Sequence, residues 1–420
     1  MPRLHIKLIW SYCNMRKLMS YTLKHLPECY SRPKPLKISR WLIALVAMLS
    51  VSVILMRIFG RYVENLYFWK VALGVPIVLW SVPFASYLLL WALQDSKANA
   101  FDKQREQWIL RETRKARRAL QVLNTTFITG HSSVSQKDTA IAMQNNDSII
   151  VSQVDRDGNE SSRMSQISSS PQDSLKFVIT NIFSKLIAGI PFVHIPDKVP
   201  LVVFFDVTTS LPLESIRHYW DETWKKNNIT LPVEYGEGSG LSVIDRWLNE
   251  RIKDKAMLLI VGLQLKPAES DNTAEAGVAL LLGNRLTQEA LEPLALLHRP
   301  DAAPSGELSE GMKMAAWNVP LKENIVKNLW LAGLTGEQRA DVIGCQNAHP
   351  AQSVEDEAVI SLDISMGHAG AAAPWLAIAA ATEIARQTQS PQMIICGDTT
   401  QNVLWSTLIT PIASRQEMDP

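Results

Sequence analysis

The sequence predicts an α/β domain, helices layered on a sheet, preceded by two transmembrane helices. Three observations predict it. Two long apolar runs lie within residues 41–93, a Ser- and Asn-rich stretch follows, and from about residue 198 short apolar runs alternate with segments of helical period.

Composition narrows the function classes. Net charge is only +1 over 420 residues, so no overall basic field points to nucleic acid. The cysteines, Cys13, Cys29, Cys345 and Cys396, lack the paired spacing of a zinc site or a disulfide framework and suit a reducing compartment. His349 follows Cys345 by four residues without a second such pair, so neither a metal nor a cofactor is expected.

Residues 41–57 and 71–93 are expected to form a transmembrane hairpin within residues 41–94. Trp41 to Met56 is almost uninterrupted apolar sequence, and Val71 to Leu93 has the length that crosses about 30 Å of hydrocarbon. The shorter first run would also suit a buried core helix. Pro76 and Pro83 are tolerated in a membrane helix whose neighbours satisfy the freed carbonyls. Tyr67, Phe68, Trp69 and Trp91 mark the edges of the second run. Lys and Arg crowd residues 1–40 and 97–118, with Arg57, Arg61 and Lys70 between the runs. By the positive-inside rule both termini are cytoplasmic, residues 1–40 form a basic cytoplasmic segment, and the protein passes twice through a cell inner membrane. Membrane lipids are its first expected partners.

The expected order then runs through a helical stalk (95–131), a polar linker (132–174) and an α/β domain (175–420). The stalk carries apolar residues at helical spacing, whereas most of the linker has too few large apolar residues to offset its ordering entropy, with Ser148 to Val154 as a candidate short strand within it. Leu201 to Val207 reads as a buried strand, with helices over 212–226 and 239–253. Leu231 to Tyr235, Met257 to Gly262 and Val278 to Leu282 read as further strands.

The most specific motif is Gly367-His368-Ala369-Gly370-Ala371-Ala372-Ala373. It resembles the Gly-His-x-x-Gly-Ala-Ala-Gly turn of β-ketoacyl synthases and other thiolase-fold enzymes. The resemblance implies a truncated, degenerate thiolase-like domain that forms a homodimer, with His368 as the second catalytic histidine. Asn347-Ala348-His349-Pro350-Ala351-Gln352 resembles the family's His-Gly-Thr-Gly-Thr motif, which would make His349 the first. Ala274 to Leu280 resembles its Glu-Gly-Ala segment, and the elbow Gly236-Glu237-Gly238-Ser239-Gly240 places Glu237 where the family has its cysteine. The family's lysine five residues before the second histidine is Asp363 here, and its Gly-Phe-Gly-Gly loop is replaced by Gly397 to Asn402.

The chemistry such a site performs needs a thiolate to accept an acyl group, and a glutamate is no substitute. The sequence therefore points to a catalytically inactive scaffold or partner-binding subunit at the bacterial inner membrane. An envelope machine such as type VI secretion is one setting for it. The alternative is an acyl- or malonyl-thioester decarboxylase using His368 and His349 to stabilise an enolate. Bland readings stand beside both: His368 satisfying backbone groups before a helix, His349 in a loop, and Glu237 in an exposed turn.

Overall fold

The computed structural model describes residues 28, 30–59, 65–131, 135–156, 158, 161–170, 173–269, 271–287, 291–317, 319, 326–398 and 403–412. Most of the basic segment expected over 1–40 lies outside the described residues. The chain divides into two compact units, one over residues 22–113 and one carrying the rest.

The first unit is a helical hairpin. Helix α1 (Ile38–Phe59) has 22 residues and α2 (Asn65–Ala116) has 52, running through Pro76 and Pro83. Both are long and apolar enough to cross a membrane, and their apolar side chains are largely exposed. They lie side by side through aromatic contacts: the Trp80 indole N–H donates to the Trp41 carbonyl at 2.8 Å, and the Trp41 ring meets those of Phe84 and Tyr87 at 5.4 Å.

The expected stalk ends early. Helix α2 stops at Ala116, and β1 (Ala119–Thr129) begins the second unit. Here β-branched and apolar residues alternate in the way a strand requires, and Leu120 and Val122 are fully buried. The expected linker is also folded. It holds α3 (Gln136–Gln144), β2 (Val151–Val154) and β3 (Ser161–Ser165). A few well-placed residues suffice to order it: Ala140, Met143 and Met164 are buried, and the Arg156 guanidinium forms a two-pronged ion pair with buried Glu275.

The remaining elements follow in order. They are α4 (Leu175–Ala188), β4 (Leu201–Thr209), α5 (Leu213–Lys226), β5 (Val233–Tyr235), α6 (Ser242–Glu250), β6 (Met257–Leu265), β7 (Thr273–Ala274) and β8 (Ala276–Gly283). Then come β9 (Ala295–His298), β10 (Asp301–Ala303), α7 (Leu308–Trp317), β11 (Asn328–Ala332), α8 (Gly336–Gly344) and β12 (Val359–Ser361). Helices α9 (Leu362–Ser365) and α10 (Ala373–Thr388) and strands β13 (Gln392–Asp398) and β14 (Val403–Pro411) complete the unit.

Among the described residues most strands form an 11-stranded sheet whose path runs β12-β11-β13-β14-β9-β1-β8-β6-β4-β5, with β10 paired to β14 beside it, while β2, β3 and β7 form a separate three-stranded sheet. The order repeats about its centre, where β1 pairs with β9. In each half two parallel pairings (β5-β4-β6 and β12-β11-β13) are followed by two antiparallel ones (β6-β8-β1 and β13-β14-β9). Helices occupy equivalent places: α4 with α7, α5 with α8, and α6 with α10. Residue alternation along the strands assigns the layers. Val202 and Phe204 pack with α6 and α10, while Leu201, Val203 and Phe205 pack with α4 and α5. Helix α10 is buried from Ala373 to Ala385, and its alanines let strands approach closely on several sides.

Candidate functional site

The parallel strands of both halves end around one cleft of about 290 Å³. The repeat accounts for its walls. The turn before α6 supplies Ser239, Gly240 and Leu241, and the equivalent turn before α10 supplies His368, Gly370 and Ala371. Strand ends add Asp206 and Thr208 from β4, Gly333 after β11, and Cys396 and Asp398 from β13, with Trp405 of β14.

The glycines of the α10 turn are sterically required. Gly367 has φ +99°, and a Cβ there would lie 2.6 Å from the Thr273 carbonyl. Gly370 has φ +53°, and its Cβ would fall 1.7 Å from the Gln264 side-chain oxygen. This packing holds His368 from both sides: its N–H donates to the Asn272 carbonyl at 2.8 Å, and its carbonyl accepts from Ala274 at 3.0 Å and from Gln264 at 2.6 Å. The imidazole Nδ1 accepts the Gly370 N–H at 2.9 Å, so the ring proton of the neutral form sits on Nε2. His368 thus serves both readings: it satisfies backbone at the helix start and keeps one donor.

The other two expected site residues lie elsewhere. Glu237 is exposed and borders a separate hollow with Leu213, Glu214 and Arg217, and its carbonyl accepts from Arg246. The elbow turns two residues later than counting back from Gly262 implies, so Ser239 to Leu241 face the cleft. His349 lies beyond α8, before Pro350, and does not line the cleft. The end of β11 at Gly333 occupies the equivalent wall, and Gly333 carries no side chain for acid–base work.

Sequence reasoning missed Asp206 and Asp398 as site residues, although Asp206 breaks the apolar run within β4 and Asp398 closes β13. Asp206 Oδ2 accepts from the Gly240 N–H at 3.0 Å and from the Trp375 indole at 2.9 Å. Burial raises its pKa, those two bonds oppose the rise, and Asp398 adds to it. Asp398 accepts from the Trp405 indole at 3.4 Å. Asp363, at the position of the family's lysine, does not line the cleft. It accepts the Gly333 and Leu334 N–H groups at 3.0 Å each, and burial raises its pKa against those bonds and the nearby His368.

Among the described residues the cleft therefore holds two carboxylates and a histidine, and no Lys or Arg lines it. Cys396 is 1% exposed, and burial pushes its thiol pKa up, with Asp363 adding to the rise, so it stays protonated at neutral pH. The elbow contains no cysteine.

Comparison with known proteins bears on the fold. The ishigamide ketosynthase/chain length factor superposes with a TM-score of 0.52 at 14% sequence identity, covering 70% of this chain and 100% of that one. A type II polyketide synthase ketosynthase with its acyl-carrier protein gives 0.48 at 9% identity, covering 70% and 99%. No family model and no curated protein matches the chain. The α/β unit thus has the thiolase-like fold of ketosynthases.

Proposed function

We propose that this protein is a catalytically inactive, ketosynthase-like scaffold anchored in the bacterial inner membrane by the α1–α2 hairpin. Its α/β unit binds partner proteins in the cytoplasm and pairs as a homodimer. An envelope machine such as type VI secretion is a setting that suits this design.

One observation carries the reading: among the described residues the cleft joins no nucleophile to a base. Ser239 is exposed, and no hydrogen bond links its hydroxyl to His368 among the described residues. The Cys396 thiol is buried and protonated. A malonyl carboxylate entering the cleft would meet Asp206 and Asp398, with no Lys or Arg among the described lining residues to balance it. The test is acylation. Full-length protein in detergent, incubated with acyl-coenzyme A, is expected to show no added acyl mass. An adduct that disappears in Ser239→Ala or Cys396→Ala overturns the reading.

The second reading, a decarboxylase, is favoured by one feature. The Nε2–H of His368 is a donor of the kind an enolate oxygen needs.

A further inference from the structure

We infer that the inner end of the hairpin carries a cationic collar that binds the headgroups of anionic phospholipids. The inference rests on the membrane-anchored reading above and goes beyond it in naming which lipids are selected.

The register between the helices sets the depth of each residue. Trp41 of α1 sits level with Trp80, Phe84 and Tyr87 of α2. A bilayer core matched to the 22 residues of α1, about 33 Å at 1.5 Å per residue, therefore leaves α2 near Tyr87. This is more than a turn before Trp91, the edge expected from sequence. The aromatic group of Trp41, Trp80, Phe84 and Tyr87 then lies at the interface, where such rings are favoured.

The chain before α1 continues along α2 beyond that level. The Trp91 indole donates to the Lys34 carbonyl at 3.0 Å, Arg32 pairs with Asp102 at 3.3 Å, and the Tyr30 ring meets Phe101 at 5.6 Å. Lys34 and Lys37 are consequently held between the levels of Tyr87 and Trp91, in the headgroup layer, and Arg40, one residue before Trp41, lies at the aromatic level of the interface. All three are exposed. Lys97 and Lys103 follow, also exposed, with the Lys97 ammonium 5.4 Å from the centre of the Tyr30 ring. The acidic residues in the adjoining described segments are Glu28, Asp95, Asp102 and Glu106, and Asp102 is already engaged by Arg32. Leu89, Leu90 and Leu93, 58–61% exposed, place apolar surface beside the cations at the depth where acyl chains meet headgroups. Clustered cations at such a depth attract anionic lipid, and salt weakens the attraction.

Full-length protein reconstituted in mixed phosphatidylcholine and phosphatidylglycerol vesicles provides the test. Electron spin resonance of spin-labelled lipids reads the association constant of phosphatidylglycerol relative to phosphatidylcholine. The ratio is expected to exceed about threefold and to approach one in the Lys34→Gln/Lys37→Gln/Arg40→Gln variant and in molar salt. A charge-matched Lys185→Gln/Lys225→Gln/Lys226→Gln variant, changed on α4 and α5, should keep the wild-type ratio. A ratio near one in inserted wild-type protein, or one unaffected by the first variant, overturns the collar and leaves the anchor standing. Failure of the wild-type chain to float with vesicles or resist carbonate extraction overturns the anchor and the collar together.

Discussion

The two halves of the α/β unit build the same turn from a third strand into a helix, and they have treated it differently. Before α10 the turn is locked: Gly367 and Gly370 press against Thr273 and Gln264, and the 16-residue helix behind them is buried almost throughout. Before α6 the turn is loose. Glu237, Gly238 and Ser239 are exposed, and the helix has nine residues. What stays close-packed is what the core needs, and what has opened is the segment where the family resemblance places a nucleophile. Packing alone penalises change in the turn before α10, so its motif is legible whether or not chemistry survives there.

Substitutions can break or sharpen this contrast. The largest expected effect is Trp375→Ala, which empties a fully buried site and removes the donor to Asp206, at a loss of about 3–5 kcal/mol in urea unfolding followed by circular dichroism. Trp247→Ala in α6 should lose less, because Arg251 covers one face of that ring at 4.8 Å. Next, Gly370→Ala should cost about 2–3 kcal/mol, since its φ is positive and the Gln264 side chain its Cβ would strike is held by hydrogen bonds to the Ala274 and His368 carbonyls. Gly236→Ala, in the turn before α6, should cost about 1 kcal/mol or less, because its φ is not positive and the nearest atoms its Cβ would meet lie 3.4 and 3.8 Å away. Equal losses at the two glycines would contradict the contrast.

A smaller effect concerns pH. Asp206 and Asp363 have raised folded-state pKa values, so the folded state holds protons more tightly than the unfolded chain. Their contribution is fully present below about pH 4, the ordinary carboxylate value, and is lost as pH rises through the higher folded values. Wild-type stability should therefore slope downward from about pH 4 toward neutrality, and Asp206→Asn should flatten that slope in urea titrations at several pH values. The smallest effect is at Glu237→Gln, expected within about 0.5 kcal/mol of wild type in the same unfolding assay because the side chain is exposed and outside the cleft.

Much of the second half was readable from sequence because its signals are local. The glycines around His368 are dictated by steric contact, and the α10 alanines by close strand approach. The first half was harder. Strand β1 directly follows a 52-residue helix and reads as its continuation, because pairing with β8 and β9 is what makes it a strand. The segment from 132 to 174 looks too polar to fold, yet Met143, Met164 and the Arg156–Glu275 pair fasten it to residues far along the chain. His349 was misplaced for another reason. It was placed by motif resemblance alone and lies beyond α8, outside the cleft, whereas Gly333 at the end of β11 lines the cleft but has no side chain to signal a site. Asp206, where the apolar run within β4 breaks, and Asp398, the last residue of β13, were present in the sequence, but their meeting across one cleft depends on the join between the two halves.

The central claim is that the framework has outlived the chemistry, and release of carbon dioxide from a malonyl thioester tests it most directly. Full-length protein in detergent, compared with His368→Ala, is expected to show the same background rate in both. Release by the wild-type protein that falls in the variant would contradict the account and establish His368 as a working oxyanion donor.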